Sequence, residues 1–126
     1  PALSFYLQMP AAFNPWPNLT SYSVETFEKD LNAVWEEMRR NPEYKPIVIL
    51  ENRYAQCLEA LSARGQSAAE AELSDILGLL LGGNAENAPA REVTAAQKFG
   101  ILAEFMEKNR YGLVLRNEKA AVFEKK

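Results

Sequence analysis

Hydrophobic and polar residues alternate at the start of the chain and then change to a helical spacing. Residues 3–9 place Leu3, Phe5, Leu7 and Met9 on one side, which is the two-residue period of a strand with one buried face. Residues 24–38 repeat apolar side chains at intervals of three and four, which predicts an amphipathic helix. The apolar run at residues 46–50 (PIVIL) lacks alternation and predicts a strand buried on both faces.

The helical pattern then returns in three segments before the chain ends in two short apolar runs. The first segment follows residue 53 and stops at Arg64 and Gly65, and the spacing of Ser67 and Glu70 is that of a capping box at the start of the second. The third and longest covers residues 93–106. Residues 111–126 divide around Asn117 and Glu118, which predicts an antiparallel hairpin.

This order predicts one α+β domain over residues 1–126, with a three- to four-stranded sheet packed by about four helices. The first strand, the first helix and residues 46–50 have the arrangement of a β-α-β crossover. We therefore expect the first two strands to be parallel and residues 46–50 to be central. The Pro/Asn-rich stretch 10–22 is predicted to be a loop, and the Gly/Asn-rich stretch 82–89 a break between helices.

Composition narrows the classes of partner. The net charge of −3 provides no broad positive field, which argues against nucleic acid. A single cysteine cannot form an internal disulfide and favours a reducing compartment. No apolar run approaches the roughly 20 residues that cross a bilayer. We expect a cytoplasmic protein without membrane insertion, unless the chain is a domain excised from a membrane or secreted protein.

The residue types also limit the available chemistry. The chain has no histidine, which removes the commonest general base and transition-metal ligand. No phosphate-binding or dinucleotide fingerprint follows a strand, and Cys57 lies in the apolar stripe of its helix. The carboxylates fall on predicted solvated helix faces. We expect no metal, no cofactor and no catalytic residues, so the sequence favours a protein that is not an enzyme.

Glu51, Asn52 and Arg53 are the candidate ligand-binding residues, because they follow a buried strand and precede a helix. Ligands collect beyond the carboxyl ends of parallel strands, and an arginine there could hold a carboxylate or phosphate. The same residues also have a structural explanation, since Asn52 is a good helix cap and Glu51 suits the positive end of a helix. An anion site and a simple helix start both stay open.

Pro1, the strand pattern of residues 2–9 and that of residues 46–50 resemble the opening of the tautomerase superfamily. The resemblance implies that the ring nitrogen of an N-terminal proline acts as catalytic base, which requires Pro1 to be a true free terminus. The chain departs from that family where residues 11–21 are inserted and where three helices follow instead of a repeat of the unit.

Two functions follow from these observations. The preferred one is a non-catalytic binding or interaction module that contacts a protein partner or a second copy of itself. Its candidate interface residues are of types that dominate interfaces: Phe13, Trp16, Tyr54, Phe105 and Tyr111. The wide apolar face around Phe105 is a second reason to expect a homodimer. The alternative is a small enzyme or ligand sensor for an anionic molecule that uses Arg53 and Glu51, or Pro1.

Overall fold

The chain forms an α+β fold, as the sequence predicts. A computed structural model describes residues 23–67, 70–82 and 85–126. Over those ranges it contains four α-helices, three strands and a short 3-10 helix at Ala85–Asn87. The helices are α1 (Val24–Arg40), α2 (Asn52–Ala63), α3 (Leu73–Leu81) and α4 (Ala90–Lys108), and the strands are β1 (Val48–Glu51), β2 (Tyr111–Arg116) and β3 (Ala120–Lys125). The predicted first strand and the whole of the predicted loop 10–22 fall in residues 1–22, outside the described residues. The predicted crossover includes that first strand, so its parallel pairing lies outside them as well.

The helix ends follow local sequence rules in two places and depart from them in a third. Ser23 caps α1 by accepting a hydrogen bond from the Thr26 backbone N–H at 3.1 Å. Gly65 follows α2 with φ at 67°, a left-handed conformation that suits glycine. The predicted capping box is wrong, since α3 begins only at Leu73. The Ser67 hydroxyl donates instead to Oε2 of Glu107 at 2.6 Å and so connects this segment to α4.

The described strands form an antiparallel sheet in the order β1-β3-β2. Val48, Ile49 and Leu50 are buried, which confirms the predicted burial of this strand on both faces. Among the described strands, however, the central position belongs to β3 rather than to residues 46–50. The predicted C-terminal hairpin is confirmed, and its second strand β3 pairs with β1, so the hairpin belongs to this sheet.

Helix α4 supplies the middle of the core. Its buried face contains two phenylalanines that contact aromatic residues of other elements. Phe99 lies against Tyr54 of α2, with ring centroids 5.3 Å apart. Phe105 contacts Trp35 of α1 at 5.8 Å and Tyr111 of β2 at 5.7 Å. The Tyr111 hydroxyl also donates to the carbonyl of Pro46 at 2.6 Å, so one ring joins α4, β2 and the segment that enters β1.

Two glycines, one inside α3 and one just after its last residue, should respond in opposite directions to the same substitution. A Cβ atom at Gly78, inside the helix, would meet no neighbouring atom, so we expect Gly78→Ala to raise the free energy of unfolding by about 0.5–1 kcal/mol. Gly82 ends the helix with φ at 66°, so Gly82→Ala should lower it by about 1 kcal/mol through backbone strain. Urea unfolding of both variants measures the difference. Equal shifts would contradict the helix end at Gly82.

Candidate functional site

The candidate ligand residues lie where β1 passes into α2. Glu51 occupies the position before the helix and its side chain makes no capping hydrogen bond. Asn52 is the first residue of the helix and not the residue that precedes it. The prediction that Asn52 caps this helix is therefore wrong. Its side-chain Nδ2 donates to the carbonyl of Asn117 at 2.8 Å, and its backbone N–H donates to the carbonyl of Lys119 at 3.0 Å. Asn52 therefore ties the junction to the β2-β3 turn.

Arg53 is held by groups from two helices and the end of β1. Its Nη2 donates to the Tyr54 hydroxyl at 2.9 Å and lies 3.4 Å from Oε2 of Glu92 on α4. Its Nε lies 3.9 Å from Oε1 of Glu51. The guanidinium carbon also lies 4.8 Å from the centre of the Tyr54 ring, within the range of a cation-π contact. We call Glu51, Arg53, Tyr54 and Glu92 the Arg53 cluster.

The positive charge of Arg53 is balanced by the carboxylates of Glu51 and Glu92. Burial by itself would lower the pKa of Arg53, but Tyr54, Glu92 and Glu51 outweigh it and raise that pKa above its ordinary value. Burial raises the pKa of Tyr54, although the guanidinium opposes the shift. Two carboxylates face one guanidinium, so the cluster does not present a net positive charge to an incoming anion. Its contacts are suited to joining α2 to α4.

The described residues offer few groups for covalent or metal chemistry. Within residues 23–67, 70–82 and 85–126, no group of three or more His, Cys, Asp or Glu residues lies close enough to hold a metal ion. The Cys57 thiol is buried, and burial raises its pKa to about 11. It is therefore protonated at neutral pH and a poor nucleophile. Pro1, the residue of the tautomerase resemblance, lies outside the described residues.

The three predicted interface residues within the described ranges are less exposed than expected. Tyr54 is 1% exposed and Phe105 is 4% exposed, so both belong to the core and neither is available at the surface. Tyr111 is partly buried, with its hydroxyl bonded to Pro46. The wide apolar face around Phe105 is covered by this chain itself. Phe13 and Trp16 lie outside the described residues.

A different apolar surface is exposed on β2. Leu113, Val114 and Leu115 are 51%, 57% and 60% exposed, and we call these three residues the β2 ribbon. The sequence shows that these three consecutive residues are apolar, but that pattern is also typical of an ordinary hairpin strand with no partner. The structure places β2 at an edge of the described sheet and leaves the side chains of residues 113–115 exposed.

Comparison with known proteins identifies no relative: no protein-family model, curated protein or solved structure matches the chain. Each helix in the described ranges is too short or too polar to traverse a lipid bilayer. A function has to be inferred from the residues and their geometry.

Replacing Arg53 tests whether the Arg53 cluster holds α2 and α4 together. We expect Arg53→Met to lower the free energy of unfolding by about 0.5–1 kcal/mol, because two partly buried carboxylates lose their partner. Arg39→Met is the matched control, since its ion pair with Glu36 is exposed on one helix, and we expect a change below about 0.3 kcal/mol. Urea unfolding at low and high salt measures both. The same small loss in both variants would show that the Arg53 cluster contributes no more than a surface pair.

The Cys57 thiol should make stability depend on alkaline pH. Its folded pKa of about 11 exceeds the ordinary value of 9.0, so the folded state binds more protons between these values. The corresponding stabilisation is complete below pH 9 and is lost as the pH rises through the folded pKa. Relative to Cys57→Ala, the protein should lose on the order of 2 kcal/mol of unfolding free energy over this range. Paired urea titrations at several pH values measure the difference. A constant difference would contradict a buried, protonated thiol.

Proposed function

We propose that the chain is a non-catalytic interaction module that associates with a second copy of itself through the β2 ribbon. The observation that supports this proposal is the exposure of three consecutive large apolar side chains, each more than half accessible. Scattered apolar residues are normal on a protein surface, but a contiguous group marks an interaction surface or an aggregation hazard. The ribbon lies on a strand with no pairing partner on its outer side among the described strands.

The charges around the β2 ribbon favour a second copy as the partner. Residues 111–115 contain no charged side chain. Arg116, which follows the ribbon, already forms an ion pair with Glu59 of α2 at 2.5 Å. The ribbon itself therefore carries no charge that would select an acidic or basic partner, and an apolar strand is complementary to itself. A two-fold axis would let each copy cover the ribbon of the other.

The pairing of β2 with β3 limits how far backbone hydrogen bonding can contribute. Leu113 is opposite Phe123 and Leu115 is opposite Val122, so Val114 is an extra residue that forms a bulge. A bulge interrupts the regular row of outward backbone groups and is one way in which edge strands avoid open-ended pairing. Side-chain burial would carry most of the contact. We expect a closed and weak dimer at the low end of interface size.

The anion-binding alternative is less well supported by the same geometry. A phosphate or carboxylate at Arg53 would compete with Glu51, Glu92 and Tyr54, which already contact its guanidinium. Removing a partly buried charge from its partners costs free energy that a small anion must repay. We therefore assign the Arg53 cluster a structural role in this proposal.

Charges placed on the β2 ribbon should prevent self-association without unfolding the chain. The average molecular mass of the unmodified chain should rise from that of a monomer towards that of a dimer as its concentration increases. The double variant Leu113→Lys/Leu115→Lys should stay monomeric, because both lysines would be forced into the contact. Analytical ultracentrifugation over a wide concentration range measures this, and circular dichroism checks the fold.

The matched control places the same two charges on other exposed positions. Gln56→Lys/Ser74→Lys lies on α2 and α3, so this variant should dimerise like the unmodified chain. Self-association that is equally weakened in both variants would indicate a nonspecific charge effect. A chain that stays monomeric at the highest soluble concentration would contradict the proposal.

A further inference from the structure

A groove runs between α1 and α4 on a surface separate from the β2 ribbon. It contains a cavity of about 580 Å³, bordered also by α3, and a smaller cavity of about 220 Å³. The two cavities share Ile101 and Glu104 of α4, so they lie next to each other along this helix, and we call the two together the groove. On α1 the groove reaches from Val24 to Trp35, which corresponds to about 16 Å or three helical turns.

Apolar side chains line much of the larger cavity, whereas the smaller cavity is mainly polar. Leu73 and Ile76 of α3 line the larger cavity together with Ala96 and Ile101 of α4. Gly100 of α4 widens it, since a Cβ atom at this position would lie 3.6 Å from Cδ1 of Ile76 and a longer side chain would extend further. Trp35 borders the smaller cavity, where its ring contacts Phe105.

The rim of the groove is acidic. Glu25 and Glu28 of α1 lie along one side, and neither forms an ion pair with another described residue. Glu104 lies on the α4 side and is bonded at 2.8 Å to Lys108. Among the described lining residues, carboxylates outnumber ammonium groups by three to one. Apolar side chains between acidic edges are complementary to a ligand with one apolar face and positive charges beside it.

We propose that this groove binds an amphipathic, basic α-helix of a partner protein. Three turns of helix match the length of the groove, and side chains at i, i+3 or i+4, and i+7 would reach its apolar side chains. Lysine or arginine residues beside that apolar stripe would lie next to Glu25, Glu28 and Glu104. Residues 1–22 of this chain contain no charged side chain, so they have no lysine or arginine to pair with the acidic rim. The charges of the groove therefore favour a partner protein as its ligand rather than this segment.

A set of three synthetic peptides tests the proposal on the whole chain. The first is a 14-residue helix with leucines at i, i+3 or i+4, and i+7 and lysines elsewhere. The second replaces its lysines by glutamates, and the third has the composition of the first in a scrambled order. Trp16→Phe leaves Trp35 as the only tryptophan, so fluorescence reports directly on the groove. Of the three peptides, we expect only the lysine helix to bind saturably, with one peptide per chain. Its affinity should fall as salt is added.

Two variants of the chain locate the binding. Glu25→Gln/Glu28→Gln should lower the affinity for the lysine helix by about three- to tenfold, because two favourable charge contacts are lost. Glu43→Gln/Glu118→Gln makes the same charge change at exposed positions outside the groove and should leave affinity unchanged. Gly100→Leu should abolish binding by filling the groove, whereas Gly100→Ala should retain it. Circular dichroism shows whether the leucine variant folds, and the charge variants locate the site if it does not.

Several results would overturn the proposal. Equal binding of the lysine and glutamate helices would remove the role of the acidic rim. Equal binding of the scrambled peptide would reduce the interaction to nonspecific attraction, and so would equal losses in the two charge-neutralised variants. No saturable binding of the lysine helix up to about 1 mM, where the binding free energy is only about 4 kcal/mol, would also overturn it. Because none of these measurements depends on the β2 ribbon, the groove and the self-association can fail independently.

Discussion

The aromatic contacts of α4 are the constraint on which the rest of the fold depends. Phe99 holds Tyr54 of α2, while Phe105 holds Trp35 of α1 and Tyr111 of β2. Two rings on one helix thereby fix three other elements, and each ring also removes a large apolar area from water. The Arg53 cluster adds a polar connection between α2 and α4 at the edge of the same contact. Charge pairing therefore supplements an arrangement that apolar burial establishes.

This use of α4 explains why Phe99 and Phe105 are buried rather than exposed. Most of a face that contacts two helices and a strand is covered by this chain, and we propose two other surfaces for partners. One is the β2 ribbon, on the far side of the hairpin from β1. The other is the groove that residues of α1 and α4 line, bordered also by α3. The first has no charge of its own and the second is acidic, so the two surfaces favour different kinds of partner.

Periodicity and local rules predict much of the fold. The helical spacing of residues 24–38 gives α1, and the unbroken apolar run gives a buried β1. The errors have tertiary causes. Ser67 has the spacing of a capping box, but its hydroxyl is bonded to Glu107, forty residues away. Asn52 has the side chain of a cap, but that side chain is bonded to Asn117 in the hairpin turn. Side-chain hydrogen bonds of this range leave no periodic signal in a sequence.

The candidate site shows the same limit in another form. Sequence position correctly brought Glu51 and Arg53 to the end of a buried strand, but the residue that changes the meaning of Arg53 is Glu92, which is thirty-nine positions away. An arginine beyond a strand indicates an anion site only while its guanidinium lacks a competing carboxylate. The same limit applies to the predicted interface residues. Tyr54 and Phe105 are of types that contribute strongly to interfaces, but both are buried and so not accessible to a partner, whereas the residues of the β2 ribbon are exposed. A run of three apolar residues on an outer strand is therefore a stronger indication of a partner than aromatic residues at helical spacing.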